Sequence, residues 1–204
     1  MKYKQYPLSK MLKIQIIMGS TRQGRFVEQP AQWIFKKLKQ QEGVEVELID
    51  LRDWPLPFYD EPVSPSMMTM MKKDYVNDLA KKWAKKIGEA DGYIMVVPEY
   101  NHGYPAVLKN AIDYVYTEWN NKPIAFMSYG GSAGGTRAVQ QLRQVAIELQ
   151  MVPIRNGVHV PMYWEHVDEK GIINLEAYDK NAEALFEQLI SLAKVFKASR
   201  EASK

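Results

Sequence analysis

Three short segments concentrate residues able to grip an anion and a flat ring. The first reads Gly19-Ser20-Thr21-Arg22-Gln23-Gly24-Arg25. Its glycines permit a tight turn, and a helix starting behind it offers unpaired N–H groups to an anion. Ser20 and Thr21 add hydroxyls, while Arg22 and Arg25 add forked, charge-assisted donors. Together they read as a phosphate cradle; a plain strand-to-helix turn carrying surface arginines is the competing reading of this loop alone. The spacing is not GxxxxGK[ST], so the lysine and magnesium-binding hydroxyl of nucleotide hydrolysis are missing. Nor is it GxGxxG, so Asp50, at the end of the next apolar run, reads as a loop acid rather than a ribose ligand.

The second segment is Pro98-Glu99-Tyr100-Asn101-His102-Gly103-Tyr104-Pro105. Its prolines restrict the backbone, and Asn101 and Gly103 tolerate positive φ. Such a loop presents backbone N–H groups at fixed places to a planar ring, with Tyr100 and Tyr104 as aromatic wall. The third is Ser128-Tyr129-Gly130-Gly131-Ser132-Ala133-Gly134-Gly135, whose four glycines allow close approach of backbone to ligand. Alone, this last signal fits a flexible loop that merely starts a helix.

Other chemistries find less support. Cysteine is absent, which excludes disulfides, thiolate metal sites, Fe–S clusters and cysteine nucleophiles. The three histidines, His102, His159 and His166, lack the spacing of a helical zinc motif, so no metal is expected. GxSxG is absent as well, leaving serine hydrolase chemistry without a motif. A net charge of +3 is too mild for a dedicated nucleic-acid binder.

The elements that must position these loops follow from periodicity. Short apolar runs read as buried strands at Lys13–Met18, Val44–Ile49, Gly92–Val97, Pro123–Ser128 and Val152–Val160. Pro153 and Gly157 make the last an edge or bulged strand. Helical stripes separate the runs: Val27 to Leu38, Val76 to Ile87, Leu108 to Val115, Val139 to Leu149 and Ala182 to Phe196. Five strands alternating with five helices specify an α/β fold with a parallel sheet wound on both faces, too few strands for a closed barrel. The order 2-1-3-4-5 fits best, and ligands then bind beyond the carboxyl ends of the strands. Residues 1–12 read as a loose leader, 13–199 as one domain and 200–204 as a tail. The leader is followed by no apolar core long enough for a signal peptide or membrane span, so a cytoplasmic location is expected.

GSTRxGR after the first strand, PEYNHGYPAVLKNAIDY around the third and SYGGSAGG after the fourth resemble the NAD(P)H-dependent FMN reductase family, in order from Lys13 to Pro161. The resemblance implies a flavodoxin-like three-layer αβα fold. It implies that Ser20, Arg22 and Arg25 hold the FMN phosphate. Pro98, Glu99, Tyr100 and Asn101 would line the isoalloxazine, partly through backbone groups, and Tyr129, Gly130 and Gly131 would meet its pyrimidine edge. It further implies a homodimer or tetramer, with Met67–Met71 and Trp119 as candidate contacts; Trp119 is also open to a role as core or active-site wall.

The expected activity is hydride transfer from NADPH or NADH to bound FMN, then two electrons to a quinone, flavin, azo or similar small acceptor. The flavin carries the bond-making, so no catalytic side chain is assigned. A flavodoxin-like electron carrier without its own NAD(P)H oxidation is the alternative, and a phosphate-binding regulatory protein without redox function a third.

Overall fold

The computed structural model describes residues 11–202. Its strands are β1 (Leu12–Met18), β2 (Val44–Asp50), β3 (Gly92–Pro98), β4 (Pro123–Tyr129), β5 (Val152–Pro153) and β6 (Val158–Val160). Its helices are α1 (Glu28–Leu38), α2 (Pro65–Met70), α3 (Asp78–Gly88), α4 (Ala106–Asp113), α5 (Thr136–Glu148) and α6 (Asp179–Ala202). The sheet runs β2-β1-β3-β4-β5, all parallel, and β6 also pairs with β4. This is the expected flavodoxin-like order.

The central strands are apolar throughout because helices cover both of their faces. Every residue of β3 and β4 is buried. Ile16, Ile94 and Met127 point to the face packed by α1 and α6, whereas Ile17, Met95 and Phe126 point to the face packed by α3, α4 and α5. Edge strand β2 is only partly covered, and charged Glu45 and Glu47 alternate with Val44 and Val46 along it.

The expected fifth strand is divided. Val152–Pro153 and Val158–Val160 each pair with β4, and the chain leaves the sheet between them. Proline has no N–H to extend the ladder, which confines it to such an interrupted edge.

The second helical region also resolves into two pieces. Ser64 caps α2, its Oγ accepting from Met67 N, and Asn77 caps α3, its Oδ1 accepting from Leu79 N at 2.7 Å. Val76 therefore precedes the helix and lies exposed, while Ala80, Trp83, Ala84 and Ile87 form the buried stripe. Met68 is buried, but Met67, Met70 and Met71 face outward.

Trp119 belongs to the core rather than to a site or a subunit contact. It is fully buried, donates from Nε1 to Ile112 O at 3.1 Å and meets the Tyr93 ring edge-on. An indole that spends its one donor inside the fold has nothing left to offer a ligand.

Residues 200–202 continue α6 rather than forming a tail. Arg200 and Lys197 donate to the two carboxylate oxygens of Asp91, at 2.8 and 2.7 Å, beside the start of β3. The expected leader lies outside the described residues up to position 10, and β1 already includes Leu12. Among the described residues, no helix is long and apolar enough to cross a membrane.

Candidate functional site

Parallel register brings the three loops to one end of the sheet. Met18 of β1 lies beside Asp50 of β2 and Val96 of β3, and Pro98 of β3 lies beside Tyr129 of β4. The chain after β1 crosses close over β3. Gly19 N donates to Val96 O at 2.9 Å, and a Cβ on Gly19 would stand 3.0 Å from both that oxygen and Leu108 Cδ2. Glycine is needed there for lack of space.

Ser20 is fully buried, and its hydroxyl pairs with Tyr100 Oη at 2.9 Å. That bond ties the first loop to the second. Arg22 is exposed, and its guanidinium carbon stands 5.4 Å over the Tyr100 ring. Among the described residues it makes no ion pair, so its charge stays available at the loop surface.

Arg25 is placed differently from Arg22. Its side chain is only 1 % exposed and forks onto both oxygens of Asp50. It also donates to Glu28 Oε1 at 3.0 Å and to Ser20 O at 2.6 Å. These bonds occupy most of the guanidinium and turn it into the fold. Burial pushes the Asp50 carboxyl up, but the Arg25 hydrogen bonds, the Arg52 amide and both guanidinium charges hold it below the usual aspartate value. Asp50 is thus the half-buried partner of the loop's second, buried arginine.

The second loop closes as a tight turn. Tyr100 N donates to Gly103 O at 2.9 Å and Gly103 N to Tyr100 O at 3.0 Å, with Asn101 and His102 both at positive φ. That is the geometry of a type I′ turn. His102, rather than Gly103, takes the second left-handed place, and Gln141 Nε2 holds its carbonyl at 2.9 Å. Both central residues are exposed at the tip. Pro98 is buried at the end of β3.

Glu99 turns its carboxylate away from the loop surface. It accepts from Arg137 N at 3.1 Å and from Arg137 Nη1 at 2.6 Å, so it satisfies the uncapped N-terminus of α5. Its amide donates to Tyr129 O. Only the backbone carbonyl of Glu99 remains for a ring.

The Tyr129 ring points beneath the first loop. It is 3 % exposed and packs edge-on against Phe26 and Tyr163, at 5.3 Å from each. Its hydroxyl has no hydrogen-bond partner among the described residues. Burial pushes that phenol far above its ordinary range, and Tyr100, Tyr163, Arg22 and Arg25 are its electrostatic neighbours.

The glycine loop is held from β6 and the segment after it. Gly130 N donates to Val160 O, and Met162 N and Tyr163 N donate to Gly131 O and Gly130 O. Ser128 Oγ donates to Gly134 O at 2.7 Å, so the proton shared with His159 Nδ1 at 2.8 Å comes from the imidazole. Burial and Arg143 depress that imidazole's proton affinity. Open space surrounds Gly131, whose nearest neighbour for an added Cβ would be Trp164 Cη2 at 3.9 Å. Trp164 is half exposed beside it. Periodicity gives no hint of Phe26, Arg52, Tyr163 or Trp164: Phe26 lies in a loop, and the other three sit in single-turn 3-10 helices too short to show a period.

These features fit a phosphorylated ring cofactor. Among the described residues, the first loop carries a guanidinium without an ion pair, the Tyr129 hydroxyl behind it has no hydrogen-bond partner, and an open glycine floor follows β4. The fold is that of a doubly wound α/β protein, a class that takes ligands beyond the carboxyl ends of its strands.

The family model for NADPH-dependent FMN reductase matches residues 12–165, and the chain belongs to that family. FMN and NAD(P)H are the cofactors of the class. The chain is 42% identical over 151 residues to the NAD(P)H-dependent FMN reductase C4B3.06c of Schizosaccharomyces pombe, covering 73% of this chain and 74% of that protein. It is 31% identical over 168 residues to a 2-hydroxy-1,4-benzoquinone reductase of a Burkholderia species, covering 78% and 81%. Among solved structures, the flavoenzyme FerB of Paracoccus denitrificans superposes with a TM-score of 0.68 at 19% identity, covering 91% of this chain and 99% of that one. At that identity the match concerns the fold.

Proposed function

We propose that the loops after β1, β3 and β4 hold FMN for two-electron reduction of a small acceptor at the expense of NAD(P)H. Ser20, Arg22 and the amides of the first loop take the phosphate. The backbone of Pro98, Glu99, Tyr100 and Asn101, with Gly130 and Gly131, lines the ring. The observation that carries this reading is Arg22, the loop guanidinium without a carboxylate partner among the described residues, standing over Tyr100 beside the Ser20–Tyr100 hydroxyl pair.

Bound FMN supplies hydride acceptance and onward electron transfer. The chain's own groups bind and orient it. Arg22 neutralises phosphate charge, and amides fixed by the glycine loop's hydrogen bonds stabilise negative charge at the pyrimidine edge. Tyr129 supports the first loop from below instead of meeting the ring edge, because its side chain is buried against Phe26. His102 stands at an exposed turn tip and is assigned no proton transfer.

A quinone is the favoured acceptor. The Burkholderia relative, a 2-hydroxy-1,4-benzoquinone reductase, supports it, and so does the open floor at Gly131 walled by half-exposed Trp164, which suits a flat molecule. One open face serving both substrates gives ping-pong kinetics, so initial-rate lines at several quinone concentrations should run parallel. Lines that intersect would rule the scheme out.

Arg22→Ala tests the phosphate assignment. FMN affinity should fall roughly 10- to 100-fold, the worth of a charge-assisted phosphate contact. Riboflavin, which lacks the phosphate, should bind as before. Fluorescence titration reads both, and unchanged FMN affinity would remove the assignment.

A further inference from the structure

The first loop turns its carbonyl oxygens to one side, and two guanidinium groups hold them there. Arg25 Nη1 donates to Ser20 O at 2.6 Å. Arg52 donates from Nε to Thr21 O at 3.4 Å and from Nη2 to Arg22 O at 2.8 Å. The described chain contains no cis peptide bond. In a trans peptide the C=O and the following N–H point in opposite directions. Capturing the carbonyls of residues 20, 21 and 22 therefore aims the amides of Thr21, Arg22 and Gln23 the other way. Among the described residues, the amides of Thr21 and Gln23 donate to no protein acceptor, and that of Arg22 makes only a long 3.4 Å bond to Ser20 Oγ. Successive amides aimed together make an anion-binding concavity.

Two acids keep the guanidinium groups in place. Glu28 Oε1 accepts from Arg25 Nε at 3.0 Å and from Arg52 Nη1 at 3.1 Å, while Asp50 Oδ1 accepts from Arg25 Nη1 at 2.7 Å and from the backbone N of Arg52 at 2.9 Å. A second, independent observation points to a ligand at this loop. The Tyr129 hydroxyl, on a side chain 3 % exposed that packs against Phe26 just behind the loop, has no hydrogen-bond partner among the described residues.

We propose that Arg52, which lies outside the loop and its motif, acts with Arg25 as a positioning residue that sets the loop's amides for the FMN phosphate without touching it. The resemblance places Arg25 on the phosphate; its bonds place it behind the loop. This inference rests on the phosphate reading above. Its rival is that Arg52 merely adds positive field near the site.

The test is fluorescence titration of the apoprotein with FMN and with riboflavin, for wild type, Arg52→Ala and Arg52→Lys. A lysine keeps the charge, but its single ammonium cannot span the two carbonyls and Glu28 in the same fork. Both variants should bind FMN about tenfold more weakly, in proportion to the lost orienting hydrogen bonds. Riboflavin affinity should stay within about twofold, and the FMN loss should persist at high salt, where a field effect is screened. Arg52→Ala with the wild-type FMN-to-riboflavin preference overturns the inference. So does full restoration by Arg52→Lys. The phosphate reading fails separately, and takes this inference with it, if the wild-type protein binds riboflavin as tightly as FMN.

Discussion

Gly135→Ala is expected to lower the unfolding free energy by about 3 kcal/mol, among the larger effects of any single methyl group. Gly135 sits at φ +81, where an L-residue costs roughly 1–2 kcal/mol. An added Cβ would also stand 2.8 Å from Ser128 Cβ and 2.9 Å from Tyr129 O, the end of a fully buried strand. Neither is the free end of a flexible side chain, so the backbone of β4 or α5 must shift. The loop would move with it, since Ser128 Oγ grips Gly134 O and Gly134 N grips Gly131 O. Urea unfolding of the apoprotein reads the stability. Gly131→Ala is the control: it meets nothing nearer than Trp164 at 3.9 Å, so stability should hold within about 0.5 kcal/mol. If the ring lies against that floor, Gly131→Ala still weakens FMN. A Gly135→Ala protein as stable as wild type would mean the loop does not run as described.

Arg25→Met should cost about 3 kcal/mol, the lower end of the penalty for breaking a buried pair, since Arg25 is buried and Asp50 only partly so. Methionine keeps much of the volume, so the loss is electrostatic. Asp50, with its side chain 21 % exposed, would keep its charge without the guanidinium that stabilises it. Glu28 and Ser20 O would lose donors as well. Adding Asp50→Leu to Arg25→Met should return part of the loss, because the stranded charge is gone. The sign of the pH dependence follows from the lowered Asp50 pKa. The folded state holds the carboxylate ionised below the unfolded value of 3.8, so the contribution is complete above that value and disappears as pH falls through the lower folded one. Wild type and Arg25→Met should therefore converge in stability as the pH drops below about 4. A gap that stays constant into acid would contradict a role for the ionised pair.

Much of the scaffold is legible without coordinates. Apolar runs such as Tyr93 to Val97 have one stable place in a soluble chain, a strand covered on both faces, and the stripes at Ile34, Trp83 and Leu142 have another, a helix facing that sheet. Strand interruption and helix capping are less legible. Val152–Val160 reads as one strand until Pro153 is set against a ladder needing its N–H. Val76 keeps helical spacing with Leu79 and Trp83, yet Asn77 starts the helix behind it.

The sequence by itself determines the sheet order and the three loops that gather at the carboxyl end of its strands. Local patterning and the handedness of parallel crossovers leave little freedom there. Only the tertiary structure decides what each loop residue does. Arg22 and Arg25 are the same residue type three positions apart, and motif spacing assigns both to the phosphate. The parallel register of β1 with β2 puts Asp50 beside the loop and commits Arg25 to it, leaving Arg22 outside. The same register brings Arg52 to the loop's carbonyls across 30 residues of chain, a long-range relation that no local pattern encodes.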